Sequence, residues 1–223
     1  MATPIDLGSI ALAVGALGTA SFALVDATKV MGGGISNSGF SFIRTEVGRF
    51  PDPAAPGSLL DILYGHWING SALADQKAIA KSLIKLRLTP QTAAKYADAT
   101  SVDAAVLAEV AKNMASGESL SPQQANVLGR FDLMLTALLD GAYQHADQRY
   151  RNSAKLLASV VAVILAVLGG WTVASSQQMP FFWTVDMAVA VLCGLLATPL
   201  APVSKDLASA LQAGVKVAQL VRR

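Results

Sequence analysis

Lys77, Lys81 and Lys85 recur at every fourth position, so on a helix their three ammonium groups share one face. That arrangement suits anionic lipid headgroups or an acidic partner surface; the bland alternative is a solvated face. Beyond these lysines the chain offers little chemistry. His66 and His145 stand apart, with neither H-x-x-x-H spacing nor a neighbouring carboxylate pair to make a metal site. Cys193 is the single cysteine, which excludes an internal disulfide framework and a cysteine-based zinc site. The run Gly32, Gly33, Gly34 lacks the following Lys-Ser or Lys-Thr of a phosphate-binding loop, and neither a G-x-S-x-G elbow nor a dinucleotide fingerprint occurs. No catalytic, metal-binding or cofactor-binding residue is assigned, and an enzyme is the least expected class.

The elements that must position these residues follow from composition. The chain has 223 residues, 53% of them hydrophobic and only 14% charged, with a mean hydropathy of +0.47, whereas soluble domains run near about a quarter charged. A membrane protein is the first reading. With 17 Lys and Arg against 15 Asp and Glu, the charge balance gives no reason to expect a nucleic-acid partner.

A bilayer core about 30 Å thick needs roughly 20 apolar residues in a helix, and three runs qualify. The first lies between Asp6 and Asp26, the second runs from Leu156 to about Ala174, and the third covers about Phe181 to Pro202 with Asp186 near its start. A polar turn, Ser175 to Pro180, makes the last two an antiparallel hairpin. Nothing before Lys29 is basic, so the first run reads as a retained helix and not a secretory signal. All Lys and Arg fall between Lys29 and Lys155 or after Pro202, which by the positive-inside rule puts the amino terminus outside and the carboxyl terminus in the cytoplasm. Alanine richness suits a bacterial inner membrane.

The expected organisation is all-α. Residues 1–31 carry the first transmembrane helix behind a short external amino terminus, and 32–57 form a Gly/Pro-rich connector. Residues 58–153 make a small cytoplasmic helical bundle, 154–203 the transmembrane hairpin, and 204–223 a cytoplasmic amphipathic helix. Within the connector, Phe40, Phe42 and Arg44 alternate with other residues, open to a covering loop, a short strand pair or a segment in the lipid interface. Helices are expected over about 59–67, 72–87, a brief one capped by Thr89 and Pro90, and one from near Ser101 to Gly117. Ser121, Pro122, Gln123 and Gln124 match a capping box with proline at the first helical position. The stripe Leu128, Phe131, Leu135, Leu138, Ala142, Ala146 and Tyr150 then runs without a breaker into the second span. A helix unbroken from Pro122 to Ala174 extends about 80 Å, so long helices are expected to continue from membrane to cytoplasm.

Inside the spans, small side chains recur at helical spacing. Ala154, Ala158, Ala162, Ala166, Gly170 and Ala174 line the second, Gly8, Gly15 and Gly18 mark the first, and Ala190, Gly194 and Thr198 the third. Such faces let helices approach closely in lipid, either within one chain or between copies. Asp26 is one turn from Lys29 and pairs with it, while Asp186 suits the mouth of a pore or simply the interface. No charge occupies the middle of any span, which leaves a proton relay or coupled transporter little to work with.

The leading expectation is an oligomeric membrane anchor or scaffold whose cytoplasmic helices dock a protein partner. The rival is a homo-oligomeric channel for ions or small solutes, with Thr19, Ser21, Thr172, Thr184 and Thr198 as weak polar lining.

Overall fold

The computed structural model describes residues 7–30, 32–50 and 58–202. Among them every regular element is a helix and none is a strand. In chain order these are α1 (Leu7–Ala27), α2 (Asn37–Val47), α3 (Ser58–Ile68), α4 (Leu73–Leu86), α5 (Ala93–Thr100), α6 (Ala104–Ser116) and α7 (Pro122–Ser176), followed by α8, described over Val185–Pro202. Three of them, α1, α7 and α8, are long and apolar enough to cross a membrane. The contacts divide the chain into two compact units. One comprises Met1–Ile35 with Arg151–Arg223, the other Ser36–Tyr150, and α7 contributes to both.

The start of α7 is fixed locally. The Ser121 backbone N–H donates to Gln124 Oε1 at 2.9 Å and the Gln124 N–H donates to Ser121 Oγ at 3.3 Å, the reciprocal capping box read from the sequence. α6 begins one turn later than the sequence suggested, because Asp103 accepts from the Val106 N–H at 2.9 Å and Ser101 takes a left-handed conformation, φ 54°. Thr89 and Pro90 open a helical turn, Thr89 Oγ1 accepting from the Thr92 N–H at 3.2 Å, but α5 itself starts only at Ala93.

The largest departure concerns the connector. Residues 37–47 are neither covering loop nor strand pair but the helix α2, and Phe40, Ile43 and Val47 are buried on it, with Phe50 just beyond. Those positions keep a spacing of three and four, the period of a helix face; the apparent alternation of Phe40 with Phe42 hid it, since Phe42 points outward against His145, the ring centroids 5.8 Å apart. The expected tail helix 204–223 and residues 51–57 of the connector lie outside the described residues.

One core joins α2 to α7 in this second unit. Phe50 meets Tyr96 edge-on at 5.3 Å, Tyr96 stacks on Phe131 at 6.5 Å, and Leu63, Ile84, Leu107 and Leu135 are fully buried around them. Trp67 donates its indole N–H to the Ser36 carbonyl at 2.8 Å, satisfying a buried donor. α2 reaches α7 closely because Gly39 has no side chain: a Cβ there would stand 2.4 Å from the Ala146 carbonyl oxygen and 2.8 Å from the Trp67 ring. Gly39→Ala is expected to destabilise this unit by about 1–3 kcal/mol through overpacking. Gly65→Ala, with nothing within 4 Å of the added carbon, should leave it unchanged or slightly more stable. Denaturant titration followed by tryptophan fluorescence separates the two, and equal midpoints would contradict the crossing.

Candidate functional site

The three lysines on α4 share a face, and each is paired on it. Lys77 Nζ lies 2.5 Å from Asp140 Oδ1, Lys81 Nζ 2.6 Å from Asp132 Oδ2 and Lys85 Nζ 2.9 Å from Asp132 Oδ1. Both carboxylates belong to α7, and the first lysine meets the later aspartate, so α4 and α7 run antiparallel here. The hydrogen bond from Lys81 holds the Asp132 carboxyl below the usual carboxylate range against the opposing cost of burial, with Lys85 adding to the effect. The ammonium groups expected to face lipid or a partner also meet charges on the same chain, and each lysine side chain keeps about a third of its surface exposed. Asp132 and Asp140 carried no signal by themselves. Their eight-residue interval, equal to that from Lys77 to Lys85, is the pattern that reveals the pairing once the helices are set side by side.

In the first unit the arrangement is inverted relative to a soluble core. Ala158, Ala162, Ala197, Gly18 and Ser21 are buried, while Ile164, Leu168, Val185, Leu192, Leu195 and Leu196 face outward. Water would penalise that pattern, whereas helices in lipid associate through small residues and leave large apolar ones to the tails. Asp26 pairs with Lys29 at 2.5 Å, as its spacing implied. Across α7 and α8, Ser159 donates to Thr198 Oγ1 at 3.1 Å, and a Cβ on Gly194 would sit 2.5 Å from the Val163 α carbon. On Gly170 it would meet the Phe181 ring at 2.8 Å and the Ala190 Cβ at 3.5 Å. Gly18 crosses α8 against the carbonyl of Ala197. The small faces are thus occupied within one chain. Ala166 and Gly15 keep the same register, Gly15 buried and Ala166 partly so, and the surroundings of Gly8 lie outside the described residues.

This packing leaves one apolar cleft of about 640 Å³ among α1, α7 and α8. Val14 and Leu17 wall it on one side, Gly169 and Val173 on another, Val189 and Cys193 on the third. Its polar residues other than Cys193 are at one end, where Gln177 leaves α7 and Asp186 enters α8. Asp186 is exposed in the first turn of α8, a position where the helix dipole favours a carboxylate. Phe181 and Met179 close the same end from the turn between the helices. The hydroxyls considered as pore lining are engaged elsewhere. Thr19 donates to the Gly15 carbonyl at 3.0 Å, Ser21 to Leu17 at 2.8 Å, Thr172 to Gly169 at 2.7 Å and Thr184 to Phe181 at 2.6 Å.

The remaining titratable groups do not converge. His66 lies 3.3 Å from Ser71 Oγ through Nδ1, and His145 is exposed beneath Phe42. Burial pushes the Tyr143 phenol up to about 12, so it stays protonated at neutral pH. Among the described residues no three His, Cys, Asp or Glu side chains come together as metal ligands. No family model, curated protein or solved structure matches the chain.

Proposed function

We propose that the protein is a membrane anchor that carries a compact helical unit at the cytoplasmic face and presents it to a partner complex. The observation that carries this reading is the division of labour along α7: one helix supplies both an apolar face to the small-residue bundle and a core strip, Phe131, Leu135 and Ala146, to the second unit. A helix with residues in both an apolar unit and a folded one suits tethering. Basic residues flanking the spans, Lys29, Arg149, Arg151 and Lys155, favour the second unit on the cytoplasmic side, in a bacterial inner membrane. Against the channel, the candidate lining hydroxyls are engaged within the chain, Thr19, Ser21 and Thr172 with their own helices, Thr184 in the turn and Thr198 with Ser159, and the small faces at Gly18, Gly170 and Gly194 are occupied within the chain.

The test is the native mass of the complex extracted gently from its own membrane, with every accompanying chain identified, together with flux through vesicles holding the purified protein. A second protein in fixed stoichiometry and silent vesicles are expected. A closed ring of this chain alone that conducts would overturn the anchor.

A further inference from the structure

The cleft of the first unit has a shape and a polarity that the anchor role does not use. Its longest wall, Ala166 to Gln177 on α7, covers about 16 Å at 1.5 Å per residue, about the depth of one leaflet of a 30 Å hydrocarbon core. Its volume, about 640 Å³, falls within the roughly 300–1,000 Å³ of small-ligand pockets. Water has no place in such a site at membrane depth, since the walls offer it few partners. The polar groups stand at the end where α7 turns into α8, near Trp183 in that turn, which is almost wholly exposed; tryptophans of that kind sit at the headgroup level. There Asp186 faces the cleft with no cation paired to it among the described residues.

We infer that the cleft holds one hydrocarbon chain of a bilayer phospholipid whose headgroup ammonium meets the Asp186 carboxylate, that is, a lipid of the phosphatidylethanolamine class. Three features select this occupant. An apolar trough one leaflet deep fits a single acyl chain, a carboxylate at its mouth calls for a cation, and the adjacent Gln177 carboxamide can donate to the phosphate next to that cation. At Gly169 the trough is open space, since a Cβ there meets nothing within 4 Å. An anionic lipid has its charge reversed against Asp186. The inference stands apart from the anchor role: a missing partner protein leaves it intact, and a missing lipid leaves the anchor intact.

The full-length protein is placed in bilayer discs containing equal parts of phosphatidylethanolamine and phosphatidylglycerol with identical acyl chains, and the lipids retained after transfer to mild detergent are weighed by native mass spectrometry. The wild type is expected to keep phosphatidylethanolamine over phosphatidylglycerol by about fivefold, the preference of an exposed ion pair at its stronger end. Gly169→Leu, which fills the trough, should lose the retained lipid without changing the unfolding midpoint. Asp186→Lys, an exposed replacement that does not depend on repacking, should invert the headgroup preference. Equal retention of both lipids by the wild type, or a preference unmoved in Asp186→Lys, overturns the inference. So does a Gly169→Leu protein that keeps its lipid, or one that instead changes the number of copies in the assembly, which would make the cleft a contact between subunits.

Discussion

Gly18→Val is expected to unpack the unit that holds the three long apolar helices. The Cβ of any side chain at this position would lie 2.0 Å from the Ala197 carbonyl oxygen and 2.6 Å from its carbon, and both atoms belong to the backbone of α8, which cannot rotate aside as a side chain would. The helices must separate. That forfeits the close contact on which association in lipid depends, a loss at or beyond the upper end of the about 1–3 kcal/mol typical of overpacking. Unfolding in mixed micelles with rising dodecyl sulfate, followed by circular dichroism, should show the midpoint falling for Gly18→Val and holding for Gly169→Ala, whose added carbon meets open space. Ala162, wholly buried, behaves alike: Ala162→Leu is expected to lower the stability of the single chain. Equal midpoints for Gly18→Val and the wild type would mean that α1 does not cross α8 at Gly18.

Reversing the charge at the centre of the α4–α7 contact should have the second large effect. Asp132 accepts from Lys81 and Lys85 together, so Asp132→Lys faces two ammonium groups with a third. The pairs are partly solvated, with side-chain exposures near a third, so each contributes no more than about 1 kcal/mol; losing both and adding repulsion costs roughly 2–3 kcal/mol. The triple variant Asp132→Lys with Lys81→Glu and Lys85→Glu should recover most of that, and failure to recover would show that packing and not charge joins these helices. Acid provides an independent reading. Because the folded state holds the Asp132 carboxyl below its ordinary value of 3.8, the unfolded chain takes up a proton first as pH falls. The contribution of the pair is therefore complete above the ordinary carboxylate range and is lost as pH drops through the folded value. Asp132→Asn should remove that part of the acid dependence, seen as a flatter midpoint between pH 5 and pH 3, on the order of the ordinary carboxylate range.

The apolar helices long enough to cross a membrane were legible because their signal is local: length and the absence of charge suffice, and α1 (Leu7–Ala27) begins and ends within a few residues of the run between Asp6 and Asp26. The start of α7 was legible for the same reason, since Ser121 and Gln124 satisfy each other without help from the rest of the chain. α2 was not, because the apparent alternation of Phe40 and Phe42 competes with the helical spacing of Phe40, Ile43 and Val47, and burial against α3 and α7 decides which period holds. The site residues divide in the same way. Asp186 at the head of α8 could be placed from its distance to the end of a span, but that it faces a cleft lined by α1 as well depends on a three-helix crossing.

The sequence by itself determined that this is an all-helical chain with three apolar helices, where the longest helix starts, and which residues are small enough to be crossed, because caps, hydropathy and side-chain size are properties of neighbours along the chain. Tertiary structure alone decided what those residues touch. Lys77, Lys81 and Lys85 read identically whether they face water, lipid or carboxylates, and only the antiparallel setting of α4 against α7 gives them Asp132 and Asp140. Ala158, Gly18 and Gly194 read identically whether they await a neighbouring copy or a neighbouring helix, and only the crossings fill them from within. Contact across dozens of residues is set by the summed fit of whole faces, and no local pattern encodes that sum.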